Sequence, residues 1–202
     1  IVSDLIWTEP HRFANHVVNT VLGGWTYGQK MYIFTGTPFS SSDSKINAQI
    51  NSAGGTGTTP LASVIDPHIL SNCTAVHGTS DAPCFTTGQF ETYNSTSGVA
   101  TPIQNDFGIT GPGVFRGPGY FDIDNQLTKK FFVKEKYAFE IGAQAYNVLN
   151  HPNFNNPTAS ITSGSLGTTS GLVGPPTSPY GSGQGASLVG GRILVVTAKF
   201  SF

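Results

Sequence analysis

The sequence predicts an all-β fold: antiparallel up-and-down strands forming part of a transmembrane β-barrel, about five strands from its C-terminal end, with two long extracellular loops. Three observations carry this reading. Apolar and polar residues alternate with period two over segments of about 9–11 residues, the length a tilted strand needs to cross a bilayer. The links between these segments are in turn very short and very long. Aromatic side chains gather at one end of several segments, where a barrel meets the membrane–water boundary.

The first segment, RFANHVVNTVL at 12–22, alternates poorly but is read as a strand. Gly23-Gly24 after it is read as a hairpin turn. In the second, WTYGQKMYIFTG at 25–36, Trp25, Tyr27, Met31 and Ile33 share a face that Gln29 interrupts. The third, YFDIDNQLTKKFF at 120–132, sets Phe121, Ile123, Leu127 and Phe131 against Asp122, Asp124, Gln126, Thr128 and Lys130. Asn125 and Lys129 fall on its apolar side and weaken the pattern. VKEK at 133–136 is a tight-turn link to YAFEIGAQAYNVLN at 137–150. There Tyr137, Phe139, Ile141, Ala143 and Ala145 oppose Glu140 and Gln144. The last strand, 192–202, is the cleanest. Leu194, Val196, Ala198, Phe200 and Phe202 line one face, and the other turns polar at Thr197, Lys199 and Ser201.

What lies between is connection. Residues 37–116 and 153–190 are rich in Gly, Ser, Thr and Asn, with short apolar runs such as LASVI at 61–65 that fit local strands or turns. Loops of this length are uncommon in compact soluble domains. If the last strand ends at the periplasm, VKEK and Gly23-Gly24 lie on that same side and both long loops lie outside the cell. Trp25, Tyr27, Phe131, Phe132, Tyr137, Phe139, Phe200 and Phe202 then all lie toward the periplasmic end.

Charged residues make up 10% of the chain and the net charge is −1, so no nucleic-acid-binding surface is expected. No apolar run approaches the length of a transmembrane helix. The chain opens at Ile1 and its only methionine is Met31, so a processed product or a fragment is expected. Cys73 and Cys84 close a short polar segment, which points to a disulfide formed in an oxidising compartment; a pair of free thiols is the alternative. No zinc-type cysteine spacing is present; Asp66 and His68 sit two apart with His77 further along the same loop, but loop histidines are usually solvated, so no metal or cofactor is expected. No G-x-S-x-G elbow or phosphate-binding loop occurs in a suitable context, and no catalytic residue is assigned.

The chain resembles the C-terminal end of a TonB-dependent outer-membrane receptor of the Oar-like group common in acidobacteria. The resemblance rests on PHRF at 10–13, LGGW at 22–25, GTPFS at 36–40, RGPGYFDID at 116–124, NVLNHPNF at 147–154 and the terminal KFSF, in that order. It implies a plug and a TonB-contacting segment upstream, since about five strands do not close the barrel of about 22 that such transporters use. The implied function is capture of a ligand at the cell surface, carbohydrate or peptide, and its import with energy from the inner-membrane TonB complex. Phe202, with Phe200 on the same face, resembles the signal read by the barrel assembly machinery. Asp122, Asp124, Lys130, Glu140, Gln144 and Lys199 would face the lumen, and the apolar faces would meet outer-membrane lipid. The rival reading is a secreted structural or adhesive β-rich surface protein, whose apolar faces would pack on one another.

Overall fold

Five antiparallel strands pair in the order β1-β2-β7-β8-β9. They are β1 (Val2–Thr8), β2 (Trp25–Phe34), β7 (Tyr120–Val133), β8 (Tyr137–Tyr146) and β9 (Ile193–Ser201). A helix, α1 (His16–Leu22), lies between β1 and β2 in the chain. The shorter β3 (Pro38–Phe39), β4 (Thr92–Asn94), β5 (Val99–Thr101) and β6 (Phe115–Arg116) fall between β2 and β7. This computed structural model describes residues 1–10, 13–44, 61–66, 69, 73, 82–94, 99–101, 111–133, 137–169, 171–174, 176 and 190–202. They form two compact units: Ile1–Phe34, Tyr120–Asn153 and Leu172–Phe202 in one, Thr35–Gly119 and Phe154–Gly171 in the other.

The sheet of the first unit is open. Neither β1 nor β9 pairs on its outer edge among the described residues. Register carries the alternation across all five strands. Ala143 stands opposite Val196 and Leu127 opposite Ala143, while Tyr27 joins Leu127 to Trp7. One face is therefore largely apolar, interrupted by Ser3, Gln29, Asn125 and Lys129. Leu194, Val196, Phe200 and Phe202 on it are all exposed, Val196 at 85%. They are not sealed into a core, as an adhesive soluble module would require. Rings gather at one end of this face: Phe131 stacks on Phe139 with centroids 6.5 Å apart, and Tyr137 on Phe200 at 6.0 Å. Phe132 lies at the same end but on the opposite face, where it pairs with Ala138.

One predicted strand is wrong. Residues 12–22 contain α1, and the fifth strand is Val2–Thr8 instead. Asn15 caps the helix, its Oδ1 accepting from Val17 N at 2.9 Å and Val18 N at 3.3 Å. The β-branched valines suggest a strand, yet Val17, Val18, Val21 and Leu22 follow helical spacing. In β1 the alternation is blurred, because Val2 and Ile6 share the face of Asp4 and Thr8. Gly23-Gly24 is accordingly no hairpin turn. Gly24, at φ 73, turns the chain out of the helix and donates to Glu9 O at 3.0 Å, while Glu9 N donates to Trp25 O at 2.7 Å.

Lys129 and Asn125 also acquire reasons. Lys129 is 3% exposed and donates to Val21 O at 3.0 Å and to Gly23 O, the free carbonyls at the end of α1. The rings of Trp25 and Phe131 lie 5.3 and 5.2 Å from its Nζ. Asn125 Oδ1 accepts from the Tyr27 hydroxyl at 3.0 Å. These two of the polar residues on the apolar face are thus paired; Ser3 and Gln29 share that face. β8 stops at Tyr146 because Asn147 takes φ 48, and residues 134–136 of the expected VKEK turn lie outside the described residues.

The second unit, read from sequence as connection, has a hydrophobic core of its own. Phe85, Phe90 and Phe115 pack with Ala62, Ile69, Ile161 and Leu166, and Phe39 packs against them. Leu61 bridges to Ser42 and Val64 to Phe90, so the LASVI run does make local strand contacts. The backbones of the GTPFS and RGPG motifs cross closely: a Cβ on Gly36 would stand 1.7 Å from Gly117 O. Cys73 and Cys84 are bonded, and Cys84 packs against the core. Closing so short a loop contributes about 2–3 kcal/mol. Removing the bond by Cys73→Ala with Cys84→Ala should therefore raise the rate of proteolytic cutting within 35–119. The full-length protein should still migrate differently on gels when unheated than when heated.

Candidate functional site

The opposite face of the sheet is polar. Because strands place alternate residues on one side, β1 contributes Asp4, β2 Gly28, Lys30 and Tyr32, β7 the even residues 120–132, β8 Glu140, Gln144 and Tyr146, and β9 Thr197 and Lys199. All six residues expected on the lumen side, Asp122, Asp124, Lys130, Glu140, Gln144 and Lys199, lie on this face. They form two groups.

Near the tight-turn end, Lys130, Glu140 and Lys199 stand in one cross-strand row. Glu140 lies between two cations, an alternation that favours pairing over repulsion. Lys130 Nζ also lies 5.2 Å from the Phe132 ring centre. One row further in, Thr128, Gly142 and Thr197 are aligned. A Cβ on Gly142 would meet Thr197 Oγ1 at 2.7 Å, so the glycine makes room between two threonines.

Toward the long-loop end lies a concavity of about 440 Å³, lined among others by Asp4, Lys30, Asp124, Gln126, Gln144 and Tyr146. Lys30 forms an ion pair with Asp4 at 3.4 Å and stands opposite Asp124 in register. Asp124 Oδ1 accepts from Asn147 N at 2.9 Å. The Tyr146 hydroxyl donates to Gln144 Oε1 at 2.6 Å. Beside it, Asp122 is 1% exposed, and its Oδ2 accepts from the Tyr120 hydroxyl at 3.1 Å. Sequence reasoning missed Asp4, Lys30 and Tyr146. Lys30 was detectable, since it is out of phase with Met31 and Ile33. Asp4 was hidden by the blurred alternation of β1.

The NVLNHPNF motif follows β8, and its Asn147 N reaches Asp124 of the concavity. Asn147 Nδ2 donates to His151 O at 2.8 Å and Gly190 O at 3.1 Å, and its Oδ1 accepts from His151 N at 2.9 Å. Asn153 holds Phe121 by both backbone groups, accepting from its N and donating to its O at 2.9 Å each. The His151 ring stands edge-on to Phe121, 5.8 Å between centroids. Both asparagines are buried, so their amides replace strand partners that the turn removes. His68 and His77 lie outside the described residues.

The arrangement is a face on which acidic and basic side chains alternate, a chemistry that can hold polar solutes bearing hydroxyl or amide groups. A family model described as an outer membrane beta barrel domain matches residues 1–179. No curated protein and no solved structure matches the chain.

Proposed function

Because the chain belongs to the outer-membrane β-barrel domain family, and so resides in the bacterial outer membrane, we propose that it forms the C-terminal wall segment of a TonB-dependent receptor of the Oar-like type. The whole of 1–202 is part of the barrel, and the parent protein takes up a carbohydrate or peptide ligand. The observation that carries this reading is the two-sided sheet: a largely apolar surface fit for lipid backs a polar face with the Asp4–Lys30 ion pair and a cross-strand row of Lys130, Glu140 and Lys199. A transport wall needs that combination, because water and polar solute must pass on one side while hydrocarbon lies on the other. The order of the motifs from PHRF to KFSF supports the narrower receptor type.

In this reading Asp122, Asp124, Lys130, Glu140, Gln144 and Lys199 line the passage, and the loop segments within 37–116 and 153–190 meet ligand first. Phe202 and Phe200 engage the barrel assembly machinery, and contact with the inner-membrane TonB complex runs through segments upstream. The test is uptake by cells making the full-length protein, using fluorescent oligosaccharide and peptide pools. Uptake should stop when the proton gradient is collapsed, while surface binding persists. Binding with no energy-dependent uptake would replace the importer with an adhesive surface protein.

A further inference from the structure

The connection between β1 and β2 carries a surface that the barrel wall does not use. In α1, Val17, Val18, Val21 and Leu22 recur at i, i+1, i+4 and i+5, which sets them in one stripe. The stripe is bare: Val17 is 69% exposed and Val21 57%. A helix of seven residues is marginal by itself, so it forms here because its end is pinned. Lys129, on the apolar face of β7, donates to Val21 O and Gly23 O, and the Trp25 indole, on the apolar face of β2, donates to Val21 O at 3.0 Å. The C-terminal turn of α1 is therefore attached on the lipid side of the sheet. It lies at the same strand ends as Phe131, Phe139, Tyr137 and Phe200.

We propose that α1 is a membrane-interface foot, lying at the lipid–water boundary at the tight-turn end of the barrel with Val17, Val18, Val21 and Leu22 among the acyl chains. Three features select lipid as the occupant. The stripe adjoins a surface that already faces lipid, as membership of an outer-membrane barrel family requires. The aromatic rings beside it mark the depth of the boundary. The first turn of the helix carries no acid and the last no base, so the attraction is apolar and does not depend on headgroup charge. On the helix's other side, Thr20 Oγ1 donates to His16 O at 2.8 Å, and Asn19 Oδ1 accepts from Phe13 N at 3.2 Å, which leaves a polar flank toward water. An interfacial helix sits about 5–10 Å into the headgroup–acyl boundary.

The test uses the full-length protein refolded into vesicles, with the Cys73–Cys84 bond kept oxidised. A fluorescent label is attached at Val21→Cys, at Val17→Cys, and at Thr20→Cys on the polar flank. Vesicles are phosphatidylcholine alone or mixed with phosphatidylglycerol, each containing a quencher carried high on the acyl chain. Labels at Val17 and Val21 should be blue-shifted and quenched several-fold more than the Thr20 label, equally in both vesicles. Equal quenching at all three sites would overturn the proposal. So would a blue-shifted Val21 label that the lipid quencher does not reach, because protein would then cover the stripe. Dependence on phosphatidylglycerol would overturn it as well. A label at Val196→Cys reads the barrel face separately and should be quenched whichever way α1 behaves.

Discussion

Val196→Arg should destabilise the membrane-inserted protein by about 2–4 kcal/mol, while Thr197→Arg, one residue further, should change stability by no more than about 1 kcal/mol. Val196 lies near the middle of β9 on the apolar face, and 85% of its side chain is open to whatever surrounds the sheet. In hydrocarbon an arginine there has no water within reach except by distorting the bilayer. Thr197 points to the polar face, beside Gly142 and Thr128, where a long cation extends into water. Equilibrium unfolding in urea, in phospholipid vesicles, measures both variants. Equal losses would mean that the two faces meet the same solvent, and the barrel assignment of this sheet would fail.

Asn147→Ala should cost about 3–5 kcal/mol, more than most surface or turn substitutions. The amide serves three backbone groups at once: His151 O, His151 N and Gly190 O. Alanine leaves the buried Gly190 O and the part-buried His151 N and O without these partners, and it must also hold the φ of 48, which the left-handed region makes unfavourable by about 1–2 kcal/mol. Asn147→Gly separates the two causes. It removes the second and keeps the first, so it should recover about 1–2 kcal/mol relative to alanine. Gly190 leads directly into β9, so amide exchange at the start of that strand should quicken in both variants. An alanine variant as stable as the parent would show that water substitutes freely for the side chain.

The membrane-crossing part of the fold was legible because alternation is a local property. A strand with oil on one side and water on the other must repeat every two residues, whatever its neighbours are. So 120–132 and 192–202 were read almost to their ends, and Asp122, Asp124, Lys130, Glu140, Gln144 and Lys199 were assigned together to one face. The strand at 12–22 failed for the complementary reason. Valine favours strands by its branching, but Asn15 offers a helix cap, and the outcome depended on Trp25 and Lys129 holding the last turn. Lys129 lies more than 100 residues away in sequence, with a separation of 108 from Val21. No window along the chain contains both.

The second unit shows the same limit. Its Gly-, Ser- and Thr-rich stretches look like linkers, and the few aromatics are spaced too widely to suggest a core. Phe39, Phe85, Phe90 and Phe115 meet only after β3 pairs with β6 and Phe90 bridges to Val64. GTPFS, RGPG and NVLNHPNF stand out in the sequence without showing what they do. The structure supplies the answer in close glycine crossings and buried asparagine amides.

By itself, the sequence determined that this chain makes membrane-length antiparallel strands with one apolar and one polar face, because a period of two needs no partner to be read. Tertiary structure alone decided which residues supply the fifth strand, where the helix is anchored and which side chains share the concavity. Those outcomes rest on hydrogen bonds and packing between distant residues, and such contacts leave no periodic trace in the chain that makes them.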